Sequence, residues 1–493
     1  MIKSLKFHKI PLLLFFTAAA FYWSFAYDLN RSDFPKLITL YTGLFFLSFK
    51  VIQLLKTRFW LLAGIALIFR LIFILALPNL SQDFYRFIWD GRLLANGINP
   101  YLSTPDLLMK SAHFGSISQA QELVNGMGNL SASNYTNYPP LNQLIFAVAG
   151  WISGNSILFS VLIFRFFIVL SEVGILVFGR KLLKQLELPE YYIFWFLLNP
   201  FVIIECTGNL HFESVMGFFI LLSFYFLWKQ KWIISAIVLG LSVSVKLLPL
   251  MFLPLFLKFF SNNKKTSESS ENRSFAAQIS ANLNDLKTIK WTNLLSYYTI
   301  VMLIVILSFL PFYNSAFLAN FSKSIGLWFQ KFEFNASIYY VIRWIGFQIK
   351  GYNIIADTGR ILPVATFIII LIISLFRKIR SLKSLISGCV FALCFYFLLS
   401  TTVHPWYILT PLLLSIFTTY RFPIVWSFVA MLSYYAYGNG NFQENLWLIT
   451  LEYVVVIGFA ITEVFFPKKL SFSLFPDLWI IKRLRIYTIP PKK

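Results

Sequence analysis

The chain has 493 residues, 58% of them hydrophobic and only 13% charged, with a net charge of +22. A soluble domain carries about a quarter of its residues charged, so this composition excludes one. The positive charge could suit nucleic acid, but the Lys and Arg residues sit in short clusters between apolar runs rather than along one polar face, and membrane topology explains them better. The expected class is an all-α polytopic membrane protein, its 56 Phe suited to lipid-facing and interfacial surface.

The first apolar run, residues 10–27, follows a basic start at Lys3, Lys6 and Lys9. It has no clear small-residue cleavage site, so a retained helix is expected. Runs at 36–55 and 59–78 follow, with Lys56-Thr57-Arg58 between them, and the preference of basic loops for the cytoplasm puts the N-terminus inside. Residues 1–58 thus hold two N-terminal spans. The third span delivers a long external segment, 79–156, rich in Asn, Ser, Gly and Pro. Its residues 140–153 are apolar but too short to cross, and are expected as a re-entrant or interfacial helix.

Further spans are expected at 157–179, 190–207, 212–228, 232–247 and 248–260, an order that leaves Arg180 to Lys184 and Lys229-Gln230-Lys231 inside. Residues 261–293 are polar, lack hydrophobic periodicity and read as a flexible cytoplasmic linker. A span at 294–311 leads to a second external segment, 312–360. Spans at 361–376, 385–402, 405–420, 422–437 and 446–466 then complete a count of fourteen. The basic tail, 467–493, is cytoplasmic, and the whole chain is a single integral-membrane domain. Cys206, Cys389 and Cys394 lie in or beside apolar segments without metal-ligand spacing and read as packing residues.

With this topology His113, His211 and His404 fall on the external side. The richest external stretch opens Ser81-Gln82-Asp83-Phe84-Tyr85-Arg86 and ends at Asp90 and Arg92. At helical spacing Asp83, Arg86 and Asp90 share a face, so Arg86 can orient a carboxylate; the same pattern also suits a salt-bridged interfacial helix. Glu205, Asn209, His211 and Glu213 form a second external turn, and His404 precedes Pro405-Trp406 at a third. Lys246 lies near the outer end of a span, where a lysine either snorkels or holds a phosphate. Ionisable groups gathered on one side of a membrane point to a site. His211 and Glu213 are two residues apart and no HExxH spacing occurs, so no zinc is expected, while a divalent cation on Asp83, His211 and Glu213 stays open.

Beyond the site residues, several short motifs recur in a known family. Asp83 to Arg92 with Asn99-Pro100-Tyr101, then Tyr138-Pro139-Pro140-Leu141, Asn199-Pro200, Asn209 with His211-Phe212-Glu213, Val245-Lys246-Leu247-Leu248-Pro249 and His404-Pro405-Trp406 form a distributed pattern. In this the chain resembles the GT-C class of integral-membrane glycosyltransferases, particularly polyprenyl-phosphate-mannose-dependent mannosyltransferases akin to glycosyltransferase family 87. The resemblance implies a GT-C-like helix bundle that moves a sugar, mannose, from a polyprenyl-phosphate donor to an acceptor hydroxyl with inversion. Asp83 would be the general base on the non-cytoplasmic face. Arg86, Lys246, His404, His211 and Glu213 would bind donor phosphate and sugar, with Asp90, Arg92 and Asn209 in support and no cofactor. The implied partners are the lipid-linked donor, a lipid-linked or glycan acceptor and membrane lipids, with no nucleic acid. The family usually carries Asp where this chain has Glu213, a change that keeps the carboxylate and lengthens its reach. Few cysteines and many Phe, Ile, Asn and Lys residues suggest a bacterial cytoplasmic membrane. The rival reading is a transporter or flippase of lipid-linked sugars, which calls for repeated halves with paired broken helices. The sequence has no evident self-similarity.

Overall fold

The computed structural model describes residues 2–111, 117–261, 286–438 and 442–466. His113, most of the expected linker at 261–293 and the tail at 467–493 lie outside the described residues. Among the described residues there is no β-strand, only isolated bridges pairing Ser261 with Ile289 and Phe334 with Thr402. A helical chain is what lipid demands, since each backbone donor and acceptor must be satisfied within its own segment.

The chain runs through α1 (Ile2–Tyr27), α2 (Phe34–Leu55) and α3 (Phe59–Ile72), then α4 (Asp83–Ala95), α5 (Pro105–Met109), α6 (Ala120–Ala132) and α7 (Pro140–Ile152), and into the long α8 (Ile157–Gln185). After the short α9 (Phe194–Leu197) and α10 (Pro200–Val202), a π-helical turn over Ile203–Gly208 leads to α11 (Glu213–Trp228) and α12 (Trp232–Val245). Seven described helices are long and apolar enough to cross a bilayer: Lys9–Tyr27, Phe34–Leu55, Ile157–Gln185, Trp291–Phe312, Ile355–Phe376, Leu382–Leu399 and Leu446–Phe465.

The other seven expected spans take different forms. One is the pair Glu190–Leu197 and Pro200–Gly208, bent by 51°. Four are shorter apolar helices: Phe59–Ile72, Glu213–Trp228, Trp232–Val245 and Phe422–Tyr437. In the last two, 248–260 and 405–420, Pro249, Pro254, Pro405 and Pro411 keep the chain in 3-10 turns and a short helix over Leu409–Ser415. Fourteen crossings therefore exceed what length and composition support.

Buried charges hold these broken ends together. The Arg70 Nε lies 2.7 Å from Glu172 Oε2, both nearly fully buried, and Thr207 and Ser214 donate to the same carboxylate at 3.2 Å. Arg165, completely buried, donates to the carbonyls of Ile74, Ala76, Thr207 and Gly208. The first two carbonyls follow the end of α3 and the other two close the π-helical turn, where no helical donor remains for them. Leaving one unsatisfied in hydrocarbon costs several kcal/mol, so one guanidinium fixes two chain reversals.

α7 packs across α4 through backbone. A Cβ on Gly91 would run into the Phe146 carbonyl, and one on Gly150 into the carbonyl of Gly91. Glycine at both positions lets the two helices touch, and α7 becomes the floor beneath α4.

Candidate active site

Helix ends and turns from several parts of the chain enclose a cavity of about 650 Å³. Asp83, Arg86, His211, Glu213, Lys246 and His404 all line it, although they come from stretches up to 321 residues apart (404 minus 83). Asp90, Arg92 and Asn209 stand behind this wall.

Asp83 is the first residue of α4, and its backbone N–H donates to Ser81 Oγ at 3.3 Å. The side chain is half-buried. Burial pushes its carboxyl up to about 6; Lys246 and Arg31 pull against the rise and Glu213 adds to it. Neighbouring Gln82 turns away and donates to the Met127 carbonyl at 2.9 Å. Gly128 meets that amide at φ +75°, where a side chain would be both strained and in the way.

Arg86 is largely committed inside the protein. Its Nε donates to Asp90 Oδ1 at 2.9 Å, and its Nη1 donates to the carbonyls of Ser131 and Asn134 at 2.7 and 3.0 Å. The other Asp90 oxygen accepts from Thr136 Oγ1 at 2.6 Å and Gln143 Nε2 at 2.9 Å. Fully buried, Asp90 thereby ties α4 to the loop after α6 and to α7. Arg92 has no place in the cavity wall; it holds the Ser118 carbonyl and, at 2.7 Å, the Gln119 side chain.

Asn209 joins the first two turns. Its Oδ1 accepts from the Leu80 N–H at 3.3 Å, and its Nδ2 donates to Glu205 Oε2 at 3.2 Å. Two residues on, the His211 ring stacks on Trp406 at 3.8 Å, and the His404 ring stacks on the same indole at 4.5 Å with an interplanar angle of 2°. Burial, reinforced by the Lys246 charge, lowers both imidazoles, His404 to about 3 and His211 well below its ordinary value. Both are neutral at physiological pH and serve as polar donors or acceptors, not as charges. The His404 turn is set by a short ladder in which the Phe334 N–H donates to the Thr401 carbonyl and the Val403 N–H to the Phe334 carbonyl, at 3.1 and 2.8 Å.

Lys246 and Glu213 form an ion pair within the wall. Glu213 opens α11 and Lys246 ends α12, so the two antiparallel helices bring them to the same end. The lysine adopts extended backbone, φ −147° and ψ 139°, where the chain leaves helix ahead of Pro249. Its ammonium is partly exposed; the second Glu213 oxygen is buried with no hydrogen-bond partner among the described residues. Asp83, His211 and Glu213 do not make a metal-ligand group, and none of three or more such residues exists among the described residues.

Sequence reasoning missed several residues at the cavity. Arg31, in the turn between α1 and α2, reaches the wall and lies over the Tyr437 ring at 3.4 Å; Tyr407 faces Lys246 at 5.9 Å. Arg70, Arg165 and Glu172 were also missed, although a charge inside an apolar run is itself a signal. For Arg31 the only signal is its place in a short turn between two apolar runs, on the side expected to be external.

Two family profiles match the chain. One, described as alpha-(1->6)-mannopyranosyltransferase, N-terminal domain, covers residues 31–261; the other, described as mannosyltransferase (PIG-M), covers residues 204–483. The chain is similar to alpha-(1->6)-mannopyranosyltransferase A of Corynebacterium glutamicum, 22% identical over 37% of this chain and 35% of the relative. It is also similar to GPI mannosyltransferase 1 of Dictyostelium discoideum, 29% identical over 34% of this chain and 40% of the relative. The same-named protein of Schizosaccharomyces pombe is 35% identical over 22% of this chain and 29% of the relative. The matched stretches thus span well under half the length of these relatives. No solved structure gives a significant match. The PIG-M profile covers more than half of the sequence, and the chain belongs to that mannosyltransferase family, with the all-helical membrane architecture expected of the GT-C class.

Proposed function

We propose that this protein transfers mannose from a polyprenyl-phosphate-linked donor to a hydroxyl of a lipid-linked or glycan acceptor. The site would lie on the non-cytoplasmic face, in a bacterial cytoplasmic membrane. The observation that carries the reading is Asp83, a half-buried carboxylate with its pKa near 6 in the wall of a cavity that also presents Lys246 and Arg31. That is the arrangement an inverting displacement requires. The acceptor O–H gives its proton to Asp83 as its oxygen forms a bond to the anomeric carbon, and the bond from that carbon to the phosphate oxygen breaks with its electron pair going to phosphate. The nearby cations and the neutral imidazoles of His211 and His404 would receive the developing charge. Because the lipid phosphate departs as an anion, the scheme needs no metal.

The family and the names of the relatives support mannose as the sugar and a glycolipid or glycan as the acceptor. The test is transfer of labelled mannose from a synthetic polyprenyl-phosphate-mannose by purified protein in nanodiscs. Asp83→Asn should lower turnover by about 10²- to 10⁴-fold with the melting temperature kept. Wild-type turnover in that folded variant would remove Asp83 as the base.

A further inference from the structure

The cations of the cavity are not equally available. Lys246 is neutralised by Glu213, and Arg86 is paired with Asp90 through Nε and spends Nη1 on two carbonyls, so that only its Nη2 lacks a partner among the described residues and its charge is already matched. Arg31 differs. The two carboxylates of its own turn are engaged elsewhere: Asp28 Oδ2 is 2.6 Å from Lys36 Nζ, and Asp33 Oδ1 accepts from the Lys36 N–H to cap α2. The Arg31 Nε has no hydrogen-bond partner, and no carboxylate pairs with its guanidinium, among the described residues. What fixes the side chain is a face, since its Cζ lies 3.4 Å from the Tyr437 ring centroid. Stacking of this kind orients a guanidinium without using its hydrogen-bonding edge.

The turn itself is anchored to the catalytic loop. Asn79 Nδ2 donates to the carbonyls of Phe25 and Leu29 at 2.7 and 3.1 Å, which holds the end of α1 beside Leu80 and the start of α4. Arg31 therefore shares the cavity with Asp83 and is close enough to oppose the rise in that carboxyl's pKa.

We propose that Arg31 is the residue that binds the donor's phosphate and takes up its charge as the sugar leaves. This rests on the lipid-phosphate donor proposed above. Before transfer the phosphodiester carries one negative charge; when the bond to the anomeric carbon breaks, the oxygen keeps the electron pair and the phosphate carries two. A cation already neutralised by a carboxylate gains little from that change, whereas an unpaired guanidinium in a partly desolvated wall gains most. The stacked fork also suits two phosphate oxygens at once.

The experiment measures binding of a short-chain polyprenyl phosphate, and of the matching polyprenol without phosphate, to the full chain in nanodiscs. Wild-type protein should prefer the phosphate. Arg31→Gln should reduce that preference by about tenfold or more, the loss expected for a charge-assisted hydrogen bond, with polyprenol binding unchanged. Arg31→Lys, which keeps the charge and is the conservative fold control, should regain part of it. In turnover, the Gln variant should lose kcat more than it raises KM, because the charge grows in the transition state. A folded Arg31→Gln protein with the wild-type preference for phosphate overturns the proposal. A wild-type protein that does not distinguish phosphate from alcohol overturns the lipid-phosphate donor itself, a different failure seen before any variant is made.

Discussion

A carboxyl held near 6 works as a base only above that pH, which makes the Asp83 assignment testable without mutation. Below 6 the group is protonated and turnover should fall about tenfold per pH unit; above it turnover should level off. The cause is burial, opposed by Lys246 and Arg31, so removing either cation should move the inflection upward. A rate that is flat from pH 5 to pH 7 in wild-type protein would contradict a single titrating base. The Lys246 pair behaves differently, because loss of the lysine strands a buried carboxylate. Lys246→Ala should lower the melting temperature and turnover together, as expected when one member of a buried pair is removed at a cost of roughly 3–5 kcal/mol, less here because the ammonium is partly exposed. Adding Glu213→Gln removes the stranded charge. The double variant should recover the melting temperature and not the turnover if Lys246 also meets substrate; recovery of both would make the pair purely structural.

Among the elements, α4 and α7 carry the clearest dependence on sequence. Their contact is backbone against backbone at Gly91 and Gly150, so neither helix has a side chain that can move aside. Gly91→Ala should cost about 1–3 kcal/mol or more and displace Asp83, which sits two turns earlier on the same helix. Gly97→Ala, at φ +72° but with open space around it, should cost only the backbone strain and serves as the comparison. Melting of both variants in detergent checks the order, and equal losses would argue against the close crossing. Much of this region was readable beforehand. Period and polarity placed Asp83, Arg86 and Asp90 on one helix, and the short run at 140–153 was too short to span. The glycine crossing was not readable, because its reason lies in the partner helix. The same holds for Arg31, whose chemistry depends on Tyr437, and for Arg165, which serves carbonyls from two distant turns. Span number was the weakest reading, since hydropathy registers apolar length but not the proline breaks at 249, 254, 405 and 411 that shorten the helices there.

At the scale of the whole molecule the site requires that all its loops share one membrane face. The hydrogen bonds supply a partial map. Asn79 ties the α1–α2 turn to the start of α4, Asn99 Nδ2 donates to the Phe312 carbonyl at 2.9 Å, and Asn320 Nδ2 to the Tyr101 carbonyl at 3.1 Å, so segments 79–156 and 312–360, both expected outside, meet at one end. α11 runs from Glu213 in the cavity wall to Trp228, which carries Lys229 and Lys231 to the far end. Basic residues favour the cytoplasm, and the cavity should then open to the other side. Cysteine scanning tests this, because Cys206, Cys389 and Cys394 are buried and replaceable by Ala or Ser to give a clean background. On intact cells an impermeant maleimide should label Ser32→Cys and Tyr313→Cys, and it should reach Lys229→Cys only after permeabilisation. The opposite pattern would place Asp83 and Arg31 in the cytoplasm. A split pattern, with Ser32 and Tyr313 on different faces, would break the loop contacts on which the cavity depends.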